Sequence, residues 1–492
     1  MSDPAESPAV SLDRPVVIWL RDDLRVADNP ALAAAAESGR PVLVLYVLDE
    51  ASDGIRPLGG AARWWLAGSL ATLSERLARL GVPLVLRRGP AAEVVPAVVA
   101  EAKAAAVFWN RRYGGGEVAV DRALKAALGA ADVAVKSFQA SLLYEPWRVR
   151  NGEDRPYRVF SPFWRAARAT GEPRRPLPTP AEINGFRGRV ASDGLADWRL
   201  TTTRPDWAGG LRETWEPGEA GAEARLSAFL DGALARYADD RDVPAGTTTS
   251  MLSPYLRFGD ISPFRVWHAA AARAVGGGRM VRAVEKFHAE LGWREFAWHL
   301  LHHAPDLARR NFQPRFDDFP WGTAGDAVEA WRRGRTGVPI VDAGMRQLWT
   351  TGWMHNRVRM VVASFLVKHL LVDWRVGEAW FWDTLVDADA ANNPASWQWV
   401  AGTGADAAPY VRVFNPVLQG EKFDADGGYV RRWVPELARM PDAWLQKPWE
   451  APADVLATAG VRLGRDYPKP VIALADGRAR ALAAFERIRA AA

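Results

Sequence analysis

PVVIWLRDDLRVADNP, residues 15–30, is the stretch on which the fold turns. Its first six residues form an uncharged, largely β-branched run, the pattern of a strand buried on both faces. Four more runs also read as strands: PVLVLYVL (41–48), VPLVLR (82–87), AAVFW (105–109) and ADVAVKSF (131–138). Alanine- and leucine-rich helical stretches such as 61–80 lie between them. Strand alternating with helix predicts a doubly wound, Rossmann-like parallel sheet over residues 1–140, with ligands bound beyond the carboxyl ends of its strands. The turn RDDLRVADNP carries neither G-x-G-x-x-G nor a Walker lysine, which excludes the usual dinucleotide fingerprint and the P-loop.

Beyond the sheet the composition changes. Residues 141–221 hold Pro-, Gly- and Arg-rich stretches such as GEPRRPLPTPAE and read as a long connector. From 222 to 492 strand signals are sparse and helical periodicity dominates 222–238, 262–304, 339–351 and 354–372, so this domain is mainly α. SPF at 262–264 predicts an N-cap followed by proline at the first helical position. No internal repeat is present.

A chain of 492 residues with 49% apolar content is long enough for two or three domains, each with a full core. No apolar run approaches the ~20 residues of a membrane span. The opening MSDPAESPAV lacks the basic-then-apolar order of a secretory signal, so a soluble cytoplasmic protein is expected. The absence of cysteine excludes disulfides, thiolate zinc sites, cysteine-ligated iron–sulfur clusters and thiol nucleophiles. Redox work would need an organic cofactor. The net charge of +5 is mild for this length. Basic residues nevertheless recur beside aromatics in WREF (293–296), RRNFQPRF (309–316) and WRRGR (331–335), as in a phosphate-tracking groove with stacking platforms or on a solvated helical face.

Several clusters carry chemistry. GTTTSMLSPYLRFGDIS (246–262) opens with hydroxyls ahead of an apolar stretch, a phosphate-binding helix start or, more commonly, an ordinary capped loop. In EKFHAELGWREF the helical period places Phe287, Glu290, Trp293 and Arg294 on one face, and in WMHNRVRM it does the same for Asn356, Arg359 and Met360. Such faces suit a core or a cavity wall, and the two could meet across a pocket. His299, His302 and His303 share helical spacing, but nothing completes a tetrahedral metal site, so a helix surface or core edge is the better reading and no metal is expected. DADAANNPASWQW (387–399) sets Asp387 and Asp389 close enough to raise each other's pKa unless Arg359 or another donor offsets the repulsion. They form either a general acid/base pair or a hydrogen-bonding edge for a polar heterocycle, and the neighbouring indoles favour the heterocycle. Read as extended chain, the segment would point Trp397 and Trp399 to opposite sides.

These motifs in this order resemble the photolyase/cryptochrome family over nearly the whole chain. WLRDDLRVADNPAL resembles its antenna domain. TSMLS, ELGWREF, GVPIVDAGMRQL, TGWMHNRVRM and DADAANNPASWQW resemble its flavin domain. The resemblance implies FAD folded into the helical domain with DNA bound above it. By motif, Tyr237, Thr249, Ser250, Met251, Leu252 and Ser253 would hold the phosphates and ribityl chain. Arg359, Asp387 and Asp389 would address the ring edge and adenosine end, and Asn393 would face flavin N5. Phe287 stands where the family often has tryptophan. Trp397, Trp374 and Trp321 match the tryptophan chain that carries an electron from the surface to photoexcited flavin.

The branch is implied by the pocket. Glu290, Trp293, Asn356, Met360 and Trp399 match cyclobutane pyrimidine dimer photolyases. The (6-4) branch has a histidine pair where this chain has only His355, the DASH-type cryptochromes carry tyrosine at the Trp399 position and glutamine at Met360, and the iron–sulfur branch needs cysteines. Trp293 and Trp399 would flank a flipped-out dimer, while Glu290 and Asn356 would bond its edges. Arg241, Arg294 and Arg357 would meet DNA phosphates or bases. Glu290 and Asn393 are therefore the expected catalytic residues. Gly114 lies near the place of a glutamate found in folate-binding relatives, which shifts the expected antenna chromophore from a folate towards a deazaflavin or an empty site, with deazaflavin and folate both left open. The expected partner is ultraviolet-damaged DNA and the expected state a monomer. Two other readings stay open: a cryptochrome-like photoreceptor without repair, which the short run after DYPKP (466–470) disfavours, and a plain nucleotide-binding α/β protein.

Overall fold

The computed structural model describes residues 13–202, 204–274, 277–323 and 325–490. The opening MSDPAESPAV, whose order predicts no secretory signal, lies outside the described residues. The five apolar runs are strands β1 (Val16–Leu20), β2 (Val42–Leu48), β3 (Leu84–Arg88), β4 (Ala106–Asn110) and β5 (Ala134–Phe138). All pair in parallel in the order β3-β2-β1-β4-β5, so the order reverses between β1 and β4.

Every residue of β1 and β2 is buried, whereas the edge strand β5 carries Lys136 and exposed positions. Alternation along β1 splits its side chains between two cores. Val17 and Trp19 face an outer cluster with Leu43, Leu45 and Trp109. Val16, Ile18 and Leu20 face inward, into an apolar cluster that also holds Tyr237, Leu252 and Phe287 of the helical region. The sheet and the helices are thus joined by one continuous core.

The opening stretch completes that joint instead of forming a phosphate loop. Asn29 caps the next helix by accepting from Leu32 N, and Asn110 donates to Asp23 Oδ2 at 2.6 Å. Arg25, fully buried, donates to the carbonyls of Asp28, Ala140 and Gly259, which belong to both halves of the molecule.

The helices used below are α1 (Gly60–Arg79), α2 (Phe160–Ala169), α3 (Ser253–Phe258), α4 (Pro263–Ala271), α5 (Gly278–His303), α6 (Pro339–Thr351), α7 (Asn356–Ser364), α8 (Trp374–Thr384) and α9 (Asn392–Ala401). Ser262 caps α4 with Pro263 at its first position, as its sequence predicts. Three expectations need correction. The periodic stretch 262–304 is two helices, separated at a glycine run where Gly277 adopts φ +140; residues 275–276 lie outside the described residues. DADAANNPASWQW ends in helix α9 and not in extended chain; Asp389 accepts from the backbone of Ala391 and Asn392 and so turns the chain into the helix. The connector is not structureless: its Pro and Arg content conceals α2, whose Phe160, Phe163 and Ala167 are buried. None of the described helices is long and apolar enough to cross a membrane.

Candidate functional site

A cavity of about 540 Å3 opens among α3, α5, α7 and α9. Helical period on α5 turns Phe287, Glu290, Trp293 and Arg294 to it, and α7 contributes Asn356, Arg359 and Met360, so the two predicted faces do meet. Thr249, Ser250, Met251, Leu252 and Ser253 line it as well, with Tyr237 and Arg241. Met251 sits at φ +52, which turns the chain sharply before α3 begins at Ser253. Asp387, Asp389 and Asn393 line it too, as do Trp397 and Trp399 of α9. Two residues apart on a helix is a rotation of roughly 200°, so the indoles part company as expected although the chain is helical. Trp397 is buried at 2% exposure while Trp399 is half-buried.

The charged groups are paired with care. Arg359 makes a two-pronged bond to Asp387, at 3.2 and 2.8 Å, and its Nε donates to the Met354 carbonyl at 2.7 Å. The acid that Asp389 adds beside it is occupied by the start of α9 and by Asn392 Nδ2 at 2.8 Å. The two acids thus have separate partners. Between them the Ala388 carbonyl accepts from Arg257, whose other nitrogen reaches Asp22 at the end of β1, 2.7 Å away. Glu290 is held between Arg241 and Lys286, the latter at 3.3 Å. Burial, reinforced by Glu290, raises the Tyr237 phenol far above its ordinary range, so it stays a neutral hydroxyl.

Asn393 gives both amide hydrogens to Glu378, one to its carbonyl at 3.0 Å and one to Oε1 at 2.8 Å. What it can offer the cavity is therefore its carbonyl oxygen, an acceptor. Glu378 in turn takes two bonds from Arg56, at 2.7 and 3.1 Å. Sequence reasoning missed both Glu378 and Arg56, because a contact between residues 322 apart leaves no local signal.

Three predicted residues lie outside the cavity lining. Arg357 reaches Asp242 at 2.7 Å and lies over the Phe423 ring. Trp374 is fully buried in the same apolar cluster as Trp397, and Trp321, half-buried, packs against that cluster's edge. His355 is buried and spent as the cap of α7, accepting from Arg357 N at 3.2 Å, and burial lowers its pKa to about 4. Among the described residues no group of acids and histidines could hold a metal. His299 instead accepts from Tyr157 N at 3.1 Å, with its pKa lowered to about 3 by burial.

A cavity of this size, inside the roughly 300–1000 Å3 range of cofactor sites and lined by hydroxyls and a fixed acid–guanidinium pair, is that of a nucleotide-cofactor protein. The family pattern described as "DNA photolyase" matches residues 16–181, and that described as "FAD binding domain of DNA photolyase" matches residues 287–487. A deoxyribodipyrimidine photo-lyase of Agrobacterium fabrum is 50% identical over 96% of this chain and 98% of its own. The crystal structure of a bacterial class III photolyase from Agrobacterium tumefaciens superposes with a TM-score of 0.94 at 48% identity, covering 99% of this chain and 100% of that one. Cryptochrome-1 of Arabidopsis thaliana is 39% identical over 94% of this chain and 69% of its own length. The chain belongs to the photolyase/cryptochrome family.

Proposed function

We propose that this protein repairs cyclobutane pyrimidine dimers in DNA with light, as a deoxyribodipyrimidine photo-lyase. One observation carries the reading: a single cavity presents a flavin-type set of groups and, on the same walls, two indoles with a carboxylate and an amide. When bound, fully reduced FAD supplies the photoexcited electron that opens the cyclobutane ring and receives it back. The protein's residues do the rest. Thr249, Ser250 and Ser253 offer hydroxyls to phosphates, Arg359 and Asp387 fix a polar ring edge, and the Asn393 carbonyl suits a protonated ring nitrogen. Trp293 and Trp399 provide stacking faces, each worth roughly 1–3 kcal/mol per base, against the few kcal/mol needed to extrude a lesion. Glu290 and Asn356 bond the pyrimidine edges. Arg241, Arg294 and Arg357 meet phosphates. Trp397, Trp374 and Trp321 refill the flavin with electrons from the surface.

The finer expectations belong to the same proposal: a monomer, cytoplasmic, with a second light-harvesting chromophore that is a deazaflavin or a folate. Support for an antenna docking place comes from Trp147, exposed at 40% between Tyr113 and His302, each 5.7 Å away. Spectra of extracted chromophores decide its identity. Similarity to plant cryptochromes favours a second reading, a photoreceptor with the same flavin and no repair. Incubating the reduced protein with ultraviolet-irradiated thymine oligomers separates the two. Recovery of thymine under blue light and none in the dark is expected; unchanged dimers under light leave only the photoreceptor.

A further inference from the structure

We propose that Phe160, in the segment between the two domains, positions the Trp293 indole and thereby sets much of the preference for damaged over undamaged DNA. The inference rests on Trp293 being a stacking face for the lesion. The two rings lie 3.8 Å apart at 9°, a close parallel stack. Phe160 is buried and is not part of the cavity lining, whereas Trp293 is. An indole has two faces, so with one covered by Phe160 the other is left for a base.

Phe160 is itself firmly placed. Its backbone N–H donates to Asp406 Oδ2 at 3.0 Å, and three residues earlier Tyr157 N donates to His299 at 3.1 Å. Behind it Trp164 stacks at 12°, and Trp164 meets Trp267 edge-on, which stacks on His288 at 3.6 Å. Gly292 lets this slab approach α5, since a Cβ there would come within 2.7 Å of the Trp164 ring. Trp293 is thus the front plate of an aromatic stack anchored in the connector, and its plane is fixed before DNA arrives. Preorganisation of this kind spares the cost of ordering a side chain on binding. Undamaged DNA, which inserts no base into the cavity, gains nothing from it.

The test measures binding of the FAD-loaded, reduced protein, in the dark, to duplexes with and without one thymine dimer. Phe160→Leu is expected to weaken dimer binding roughly five- to tenfold and to leave undamaged binding within about twofold, with flavin content unchanged. Phe160→Tyr, which keeps the stack, restores dimer affinity. Trp293→Leu alone weakens dimer binding, and adding Phe160→Leu to it costs no more, because both act through one ring. Asp406→Ala removes the backbone anchor and moves dimer affinity the same way by a smaller factor; it carries the test should the leucine variant fold poorly. Normal dimer binding by Trp293→Leu sinks the reading of Trp293 itself. A Trp293 effect without a Phe160 or Asp406 effect, an equal loss on both duplexes, or full additivity in the double variant overturns the proposal.

Discussion

At the scale of single residues, the site depends on what each polar group has left to give. Asn393 has no hydrogen left, because Glu378 takes both. Trp397 is nearly fully buried and borders the cavity, with Gly377 allowing α8 to press on its ring; a Cβ at that glycine would come within 2.1 Å of it. Trp397→Phe is therefore expected to abolish photoreduction of oxidised flavin while sparing repair by chemically reduced protein. Steady illumination followed by flavin absorbance reads the first, and dimer repair reads the second. Loss of both would refute its role as electron donor. The residues that bear these roles were legible because each sits in a motif or on a helical face: Glu290 and Trp293 on α5, Asn356 and Met360 on α7. Glu378 and Phe160 were not legible. Glu378 contacts a partner over 300 positions away, and Phe160 sits in chain whose prolines and arginines read as linker.

At the scale of elements, capping and burial decide where chain becomes helix. Ser262 both caps α4, accepting from Arg265 N at 3.0 Å, and bonds the buried Asp28. Ser262→Ala is expected to cost about 1–2 kcal/mol, measured as loss of unfolding free energy in urea. An unchanged midpoint would show that neither bond contributes. The strands were readable to within two or three residues, since an uninterrupted apolar run has few other uses. α9 reads as extended because three aromatic and amide residues around Trp397 suit a strand locally, while the turn that Asp389 makes with Ala391 N and Asn392 N just ahead of the helix is visible only in three dimensions.

At the scale of the whole molecule, the cavity is held by contacts between the α/β domain and the helices. Arg56 reaches across to the buried Glu378 and lies 4.1 Å over the Trp382 ring. Arg56→Ala would leave Glu378 without its counter-charge. Because Arg56 is itself over a third exposed, the expected loss is about 1–2 kcal/mol, less than the 3–5 of a wholly buried pair, with faster flavin release on dilution. Retention equal to the unaltered protein would contradict this.

Asp260 lies at the same joint, accepting from Trp65 Nε1 at 2.8 Å and Ser69 Oγ at 3.0 Å of α1. Burial raises its pKa from 3.8 to about 7, so the folded state holds a proton that the unfolded state has lost. The stability this group contributes is complete below pH 3.8 and is lost as pH rises through 7. Asp260→Asn should gain on the unaltered protein as pH is raised across that window. A constant difference in urea unfolding at pH 5 and pH 8 would contradict the assignment.

On the proposed function, light moves an electron from flavin to a dimer seated against Trp293 and Trp399. Time-resolved emission of the reduced, FAD-loaded protein tests it most directly. Saturating dimer-containing DNA should shorten the flavin's excited-state lifetime, and the same duplex without a dimer should not. A lifetime unmoved by bound dimer would mean that no electron leaves, and the account would fall.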